Sequence, residues 1–239
     1  MLEINNLSVS VDDNNVISDF TWSFELGKNY ALMWKNWSWK SSLLFSIMWH
    51  PNYSINSWSI KLDWEDLLDM SPDERSQKWI FLAFQNVPEI PWIKLFEFLK
   101  MIYNARLPES KQLSFMKFKK FIEPIINEMW ISKDFLFRDL NVGFSWWEKR
   151  KLELLQMRIL NPKYILLDEI DSWLDINSLR DLWNTIKSMS WPEVSFIIIS
   201  HYFDIYEYLD IENSFIIKDW AISETWWIEL IEKVRNKWF

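Results

Sequence analysis

Tyr30-Ala31-Leu32-Met33-Trp34-Lys35-Asn36-Trp37-Ser38-Trp39-Lys40-Ser41-Ser42-Leu43-Leu44-Phe45-Ser46-Ile47-Met48 is the stretch on which the reading of this chain turns. A short apolar run leads into a polar and aromatic loop, and a helix-like run follows it. Strand, loop, helix is the setting of a nucleotide-phosphate loop, written G-x-x-x-x-G-K-[ST]. Lys40 and Ser41 occupy the Lys-[ST] positions, but Trp34 and Trp39 occupy both glycine positions. Trp37 stands where many such loops carry a further glycine. The loop works by turning main-chain N–H groups inward around phosphate. That requires positive φ and bare backbone, which glycine supplies and an indole does not. Either the loop is blocked, or these positions are glycines.

Composition bears on the choice. The chain has 2 Gly and 19 Trp among 239 residues. At about 7% usage, roughly 17 glycines are expected. The deficit and the surplus match in number, and they match in place. Trp58 lies in Asn56-Ser57-Trp58-Ser59, Trp64 in Asp63-Trp64-Glu65 and Trp220 in Lys218-Asp219-Trp220-Ala221. These are turn contexts, where Ser-Gly and Asp-Gly pairs are expected. The favoured reading is that most of these residues are glycines encoded by UGA and translated by a table that makes UGA tryptophan. Trp22 and Trp183 fit it least. The alternative is a genuinely Trp-rich chain.

The length suits one large domain, or a core with a subdomain. A net charge of −8 argues against general nucleic-acid or anionic-membrane binding. Without cysteine there are no disulfides or thiolate metal sites, and a cytoplasmic location is the simple expectation. No run approaches the roughly 20 apolar residues of a membrane span, so direct membrane insertion is not expected. The N-terminal residues lack a signal-peptide pattern.

Alternation predicts a strand over 2–11, a turn at 12–15 and a second strand over 16–25. A helix is expected over 40–49, a short strand over 59–62, and a helix over 72–78 opened by the Ser71-Pro72-Asp73-Glu74 capping box. Ile80–Phe84 reads as a buried strand ending at Gln85. Residues 93–130 read as helical, with breaks near Pro108 and Pro124. Helices are predicted over 146–161 and 176–189, and buried strands over 164–167 and 195–199. A hairpin across Asp219-Trp220 and a last helix over 226–236 complete the chain. Buried strands alternating with helices indicate an α/β sheet.

Ligands bind such sheets at the strands' carboxyl ends. There the chain places Lys40 and Ser41, the pair Asp168-Glu169, Gln85 and His201. Adjacent acids after an apolar run suit a Mg²⁺-linked carboxylate and a general base. Ser145 and Glu148 have capping-box spacing around Trp146 and Trp147, and with glycines there the helix start becomes an anion site. Taken singly, each has a plainer reading: a solvated lysine, a surface acid pair, an ordinary helix cap, a hydrogen-bonded histidine.

In their order and spacing, these residues together resemble the ATP-binding-cassette ATPases over essentially the whole chain. The resemblance implies an α/β nucleotide-binding domain: a RecA-like mixed sheet with an antiparallel β subdomain and an inserted helical subdomain. Within a single domain over 1–239, the core would span 1–92 and 162–239 and the helical subdomain 93–161. It implies ATP and Mg²⁺ as ligands. Trp34, Asn36, Trp37, Ser38, Trp39, Lys40, Ser41 and Ser42 would form the Walker A loop. Ser41, Gln85 and Asp168 would face the metal, and Glu169, with Gln85 and His201, would serve catalysis. Ser145, Trp146 and Trp147 would form the signature and Asp175 would end the D-loop. Both would meet the nucleotide of a second cassette in a nucleotide-dependent homodimer.

A narrower resemblance is to the SufC family, the cassette ATPases of the SUF iron–sulfur cluster assembly system. It rests on residues 49–53, 65–75, 80–85 with 88–91, and 168–175, read with glycine for tryptophan. It implies an ATP-hydrolysing subunit that drives rearrangement of SufB/SufD-type scaffold partners. A transporter's nucleotide-binding subunit is the alternative. A non-catalytic interaction protein is the third reading, if the tryptophans are literal.

Overall fold

A computed structural model describes residues 1–12, 14–33, 40–56, 59–200, 202, 205–218 and 221–226. The chain forms two compact units. The first comprises Met1–Phe84, Pro162–Ser172 and Lys187–Phe239, and the second Gln85–Asn161 and Trp173–Ile186.

In chain order the elements begin with β1 (Leu2–Val11), β2 (Asn14–Phe24), β3 (Asn29–Met33), α1 (Lys40–Ile47) and β4 (Ser54–Asn56). There follow β5 (Ser59–Leu62), β6 (Glu65–Asp66), α2 (Pro72–Gln77) and β7 (Ile80–Ala83). Then come β8 (Ile90–Lys94), α3 (Leu95–Asn104), α4 (Phe115–Glu128), β9 (Asp139–Leu140) and α5 (Trp146–Leu160). The chain continues through β10 (Tyr164–Asp168), α6 (Ile176–Ser188), β11 (Ser195–Ile199), α7 (Ile205–Tyr208), β12 (Ile211–Lys218) and β13 (Ala221–Trp226).

Two sheets build the first unit. One is antiparallel, in the order β2-β1-β5-β6 with β4 also on β1. Its strands alternate as the sequence predicts, with Leu2, Ile4, Leu7 and Val9 buried. The other runs β13-β12-β3-β11-β10-β7. From β12 to β7 every neighbouring pair is parallel. Tyr164–Asp168 and Ser195–Ile199 are buried throughout, as strands covered on both faces must be. Leu166, Ile197, Ile199 and Phe215 belong to one cluster with α1's Leu43, Leu44 and Ile47. The core of the second unit gathers Phe96, Leu99, Phe118, Ile122, Leu152 and Leu155.

The 93–130 segment departs from expectation twice. Ile90–Lys94 is a strand paired with β9, and α4 runs unbroken through Pro124. Phe118, Ile122 and Ile126 fall on one buried stripe, while Pro124 and Lys120 are both exposed. The carbonyl deprived of its partner by proline can therefore meet water, which lowers the usual cost of an interior proline. Residues 226–236 were expected to be helical, but Trp226 closes β13. Residues 219–220 and 227–239 lie outside those described. Among the described residues no helix is long and apolar enough to cross a membrane.

Thirteen described residues other than glycine have positive φ. Six are Asn or Asp, the side chains that tolerate this region, one is Glu169, and the remaining six are Trp. At about 1–2 kcal/mol each, six left-handed tryptophans would cost about 6–12 kcal/mol. That rivals the whole net stability of a domain, about 5–15 kcal/mol. Gly27 shows what a built-in glycine looks like here. Its φ is +83°, and a Cβ would lie 2.3 Å from the Pro192 carbonyl oxygen.

Arg75 is fully buried. Its guanidinium donates to the carbonyls of Ser46 and Ile47, at 3.1 and 2.9 Å, and to that of Met70 at 3.0 Å. Two of these are last-turn carbonyls of α1, which a helix leaves without internal partners. Burial lowers its pKa to about 10, so it stays charged at neutral pH. Arg75→Met should reduce the unfolding free energy by about 3 kcal/mol, read from the urea midpoint. An unchanged midpoint would show that these carbonyls find other partners.

Candidate functional site

The parallel sheet brings the carboxyl ends of β3, β7, β10 and β11 to one edge. Helix α1 begins at Lys40, the lysine of the phosphate-loop pattern. Trp34, Asn36, Trp37, Ser38 and Trp39 lie outside the described residues, as do the Lys40 side chain and His201.

What the sheet joins directly is Ser41 to Asp168. The Ser41 hydroxyl donates to Asp168 Oδ1 at 2.9 Å, linking the first turn of α1 to the last residue of β10. Asp168 is 1% exposed and paired with Ile199 of β11. Ser42, the next residue of the loop pattern, is buried, and its carbonyl accepts from the Ser46 hydroxyl at 2.6 Å.

Glu169 follows in a left-handed conformation, φ 46°. Its N–H donates to the Ile199 carbonyl at 2.9 Å, and its carbonyl accepts from Ser172 N–H at 3.1 Å. The backbone thus turns at Glu169, and the half-buried carboxylate leaves the line of the strand. Such a sparsely populated conformation persists where surrounding bonds hold it.

Beside this turn lies a group the sequence reading did not use. Asp171 is fully buried and accepts a short hydrogen bond from the Ser200 hydroxyl. Ser200 Oγ also accepts from Tyr202 N–H at 2.9 Å, and the Tyr206 hydroxyl donates to the Ser200 carbonyl at 3.4 Å. Burial, and then the Asp171 charge, push the Tyr206 phenol well above its ordinary range. The segment after β10 is therefore tied to the segment after β11 at Ser200. The signals were present: a second acid two residues beyond Glu169, and a serine directly after the apolar run Phe196–Ile199.

The remaining expected residues belong to the second unit. Gln85 opens it, and its carbonyl accepts from Arg150 at 2.5 Å. Arg150 is 1% exposed and also bonds Glu153 at 2.5 Å. Ser145 caps α5 in a reciprocal box: its Oγ accepts from Glu148 N–H at 3.3 Å, and its N–H donates to Glu148 Oε2 at 2.7 Å. Trp146 and Trp147 form the first turn of α5, with Lys149 Nζ 5.5 Å from the Trp146 ring. Asp175 caps the start of α6, accepting from the N–H groups of Asn177 and Ser178 and from the Ser178 hydroxyl. The Ser178 hydroxyl, then its N–H, hold the Asp175 carboxyl below the usual range.

Known proteins resemble this chain. A "Probable ATP-dependent transporter ycf16" from Antithamnion sp. is 38% identical over 211 residues, 87% of this chain and 84% of its own length. The chain belongs to the ATP-binding-cassette family of ATPases. A "Probable ATP-dependent transporter" from Synechocystis is 34% identical over 239 residues, 99% of this chain and 93% of its own. A "Probable ABC transporter ATP-binding protein" from Streptococcus pyogenes is 35% identical over 209 residues, covering 87% and 82%. Among solved structures, an ATP-binding cassette captured as a dimer with ADP and Pi superposes with a TM-score of 0.79 at 15% identity, covering 95% of this chain and 99% of that one. The ATP-binding subunit of an ABC transporter gives 0.78 at 18% identity, covering 99% and 93%. No family model matches.

Membership of the cassette family implies ATP with Mg²⁺ as ligands. The donors at hand fit that ion. Ser41 Oγ and the Asp168 carboxylate are hard oxygen ligands within one hydrogen bond of each other. Among the described residues no cluster of three acidic, His or Cys side chains forms a cage. Mg²⁺ is ordinarily held this way, by one or two protein oxygens completed by phosphate and water.

Ser200→Ala removes the hydroxyl from a buried carboxylate and should lower the unfolding free energy by about 1–3 kcal/mol, as denaturant titration would register. Asp175 supplies a pH test. Its folded pKa is depressed, so its stabilisation is present above the unfolded carboxylate pKa of about 3.9 and is lost as pH falls through the lower folded value. Wild type should therefore lose its stability advantage over Asp175→Asn on acidification. An advantage independent of pH would exclude the charge of the cap as its source.

Proposed function

We propose that this chain is the ATP-hydrolysing subunit of an iron–sulfur cluster assembly machine of the SUF type. In this reading ATP binding and turnover drive conformational change in SufB/SufD-type scaffold partners in the cytoplasm. The observation that carries it is the segment Asp168–Asp175, Asp-Glu-Ile-Asp-Ser-Trp-Leu-Asp. Transporter cassettes usually carry Pro-Thr where Ile170-Asp171 stand. Here Asp171 is instead a buried anchor for Ser200. The stretches 49–53, 65–75 and 80–85 with 88–91 support the same reading.

The roles follow from chemistry. Lys40 would neutralise phosphate charge, and main-chain N–H groups of 34–39 would cradle the phosphates, given glycine at 34, 37 and 39. Ser41 and Asp168, with Gln85, would hold Mg²⁺, which when bound offsets negative charge on the phosphates. Glu169 would accept a proton from the attacking water, aided by His201. Ser145, the main chain at 146 and 147, and Asp175 would serve the nucleotide of a second cassette in the closed homodimer.

The printed names of the relatives favour a second reading, a nucleotide-binding subunit of a transporter. Co-purification separates the two. Tagged chain isolated from its own cells should bring down scaffold proteins that bind iron–sulfur clusters; membrane permeases in their place would overturn the assembly reading. Glu169→Gln should retain Mg²⁺-dependent ATP binding while turnover drops by about 10²–10⁴-fold. Lys40→Ala should lose the binding itself. Unchanged hydrolysis in Glu169→Gln would remove Glu169 as the base.

A further inference from the structure

The six tryptophans with positive φ are not scattered at random. Each occupies a local motif whose geometry favours glycine. Trp49 follows the end of α1: its N–H donates to the Ser46 carbonyl, and His50 N–H reaches back to Phe45. Trp130 follows α4 in the same way, with Trp130 N–H on Asn127 and Ile131 N–H on Ile126. Both are Schellman caps, and the left-handed residue in such a cap is usually glycine. Trp79 takes the corresponding place after α2, its N–H donating to Ser76. Their φ values are 54°, 52° and 69°.

The other three lie in turns and a bulge. Leu62 pairs with Glu65, so Asp63 and Trp64 form a two-residue hairpin loop, with φ of 47° and 75°. Positive φ at both loop residues marks the I′ turn, for which Asp-Gly is a preferred pair. Trp92 lies in β8 at φ 74°, where the register with β9 shifts between Ile90 and Lys94. Bulged strands place glycine at such a residue. Trp173, at φ 69°, turns the chain between Ser172 and the start of α6. The indoles contribute little burial: Trp64, Trp92, Trp130 and Trp173 are 85%, 88%, 88% and 74% exposed.

Trp22 and Trp183 differ in every respect. Neither has positive φ. Trp22 lies within β2 opposite Ile4, its ring edge-on to Phe215 at 4.5 Å. Trp183 is 3% exposed inside α6. Glycine at either place would weaken the element and remove packing.

We infer that the protein made in its own cell carries glycine at 49, 64, 79, 92, 130 and 173, and tryptophan at 22 and 183. The backbone sorts these eight of the nineteen positions, rather than a blanket replacement. The assignment stands on main-chain geometry and hydrogen bonding, independently of any reading of the nucleotide site. It also reaches that site. Positions 34, 37 and 39 that share the coding triplet of the six carry glycine too, and a phosphate loop blocked by indoles becomes one with bare backbone.

Peptide mass mapping of the protein isolated from its own cells tests this directly. Expected are glycine masses at the six positions and tryptophan masses at 22 and 183, with one coding triplet shared by the six and a different one at 22 and 183. Tryptophan in the peptides spanning 64, 92 or 130 would overturn the inference. Glycine at 22 and 183 as well would overturn the geometric sorting. A recombinant comparison gives an independent reading. The chain with all six positions changed to glycine should unfold at higher denaturant than the chain with tryptophan there. An equal or lower midpoint would count against the assignment.

Discussion

The hydrogen bond from Ser41 to Asp168 is the point at which this structure becomes a site. It spans 127 positions of sequence and requires α1 to start, and β10 to stop, at matching heights on one sheet edge. The parallel register supplies that match. Asp168 lies level with Ile199 on β11, and Ile198 lies level with Ala31 on β3, the strand that leads to the phosphate loop. A one-residue slip of β10 would turn the carboxylate to the other face of the sheet. Both faces of β10 and β11 are buried, so the slip would leave the Asp168 charge buried away from the Ser41 hydroxyl, which is costly.

Polar groups the catalytic scheme does not name hold that edge in place. Arg75 caps α1 from its far end, so both ends of the phosphate-loop helix are fixed. Asp171, Ser200 and Tyr206 fasten the turn beyond Asp168 to the segment after β11. Within the second unit, Arg150 ties the Gln85 main chain to α5, the helix that Ser145 opens. In each case a buried charge or hydroxyl meets main-chain or carboxylate partners. Such groups are costly to bury unless they are bonded.

The left-handed residues form a second constraint, and they connect fold to chemistry. A compact chain of short elements must reverse sharply at element ends. The sharpest reversals need positive φ. Among the described residues asparagine and aspartate carry some of these, tryptophan others, and Glu169, Gly27 and Gly143 the rest. The same requirement governs a phosphate loop, where backbone must face an anion with no Cβ in the way. One coding ambiguity therefore touches the hairpins and the nucleotide site through the same dihedral angle.

Much of the fold was legible in the sequence. Alternation marked β1 and β2, unbroken apolar runs marked β7, β10 and β11, and the Ser-x-x-Glu boxes marked the starts of α2 and α5. These features are recorded in near neighbours, because strand period and helix capping are local. The strand at Ile90–Lys94 was missed because its partner, β9, is only two residues long and lies in distant sequence. Pro124 was misread because the penalty of an interior proline depends on whether the orphaned carbonyl faces water. The sequence by itself determined most of the longer elements and their order, the candidate acids and the lysine-serine pair, all set by periodicity and spacing along the chain. Only the tertiary structure decided that Ser41 meets Asp168, that Asp171 anchors Ser200, and which tryptophan positions the backbone bends left-handed. Those depend on sheet register and on the closing of turns, which no stretch of neighbouring residues fixes alone.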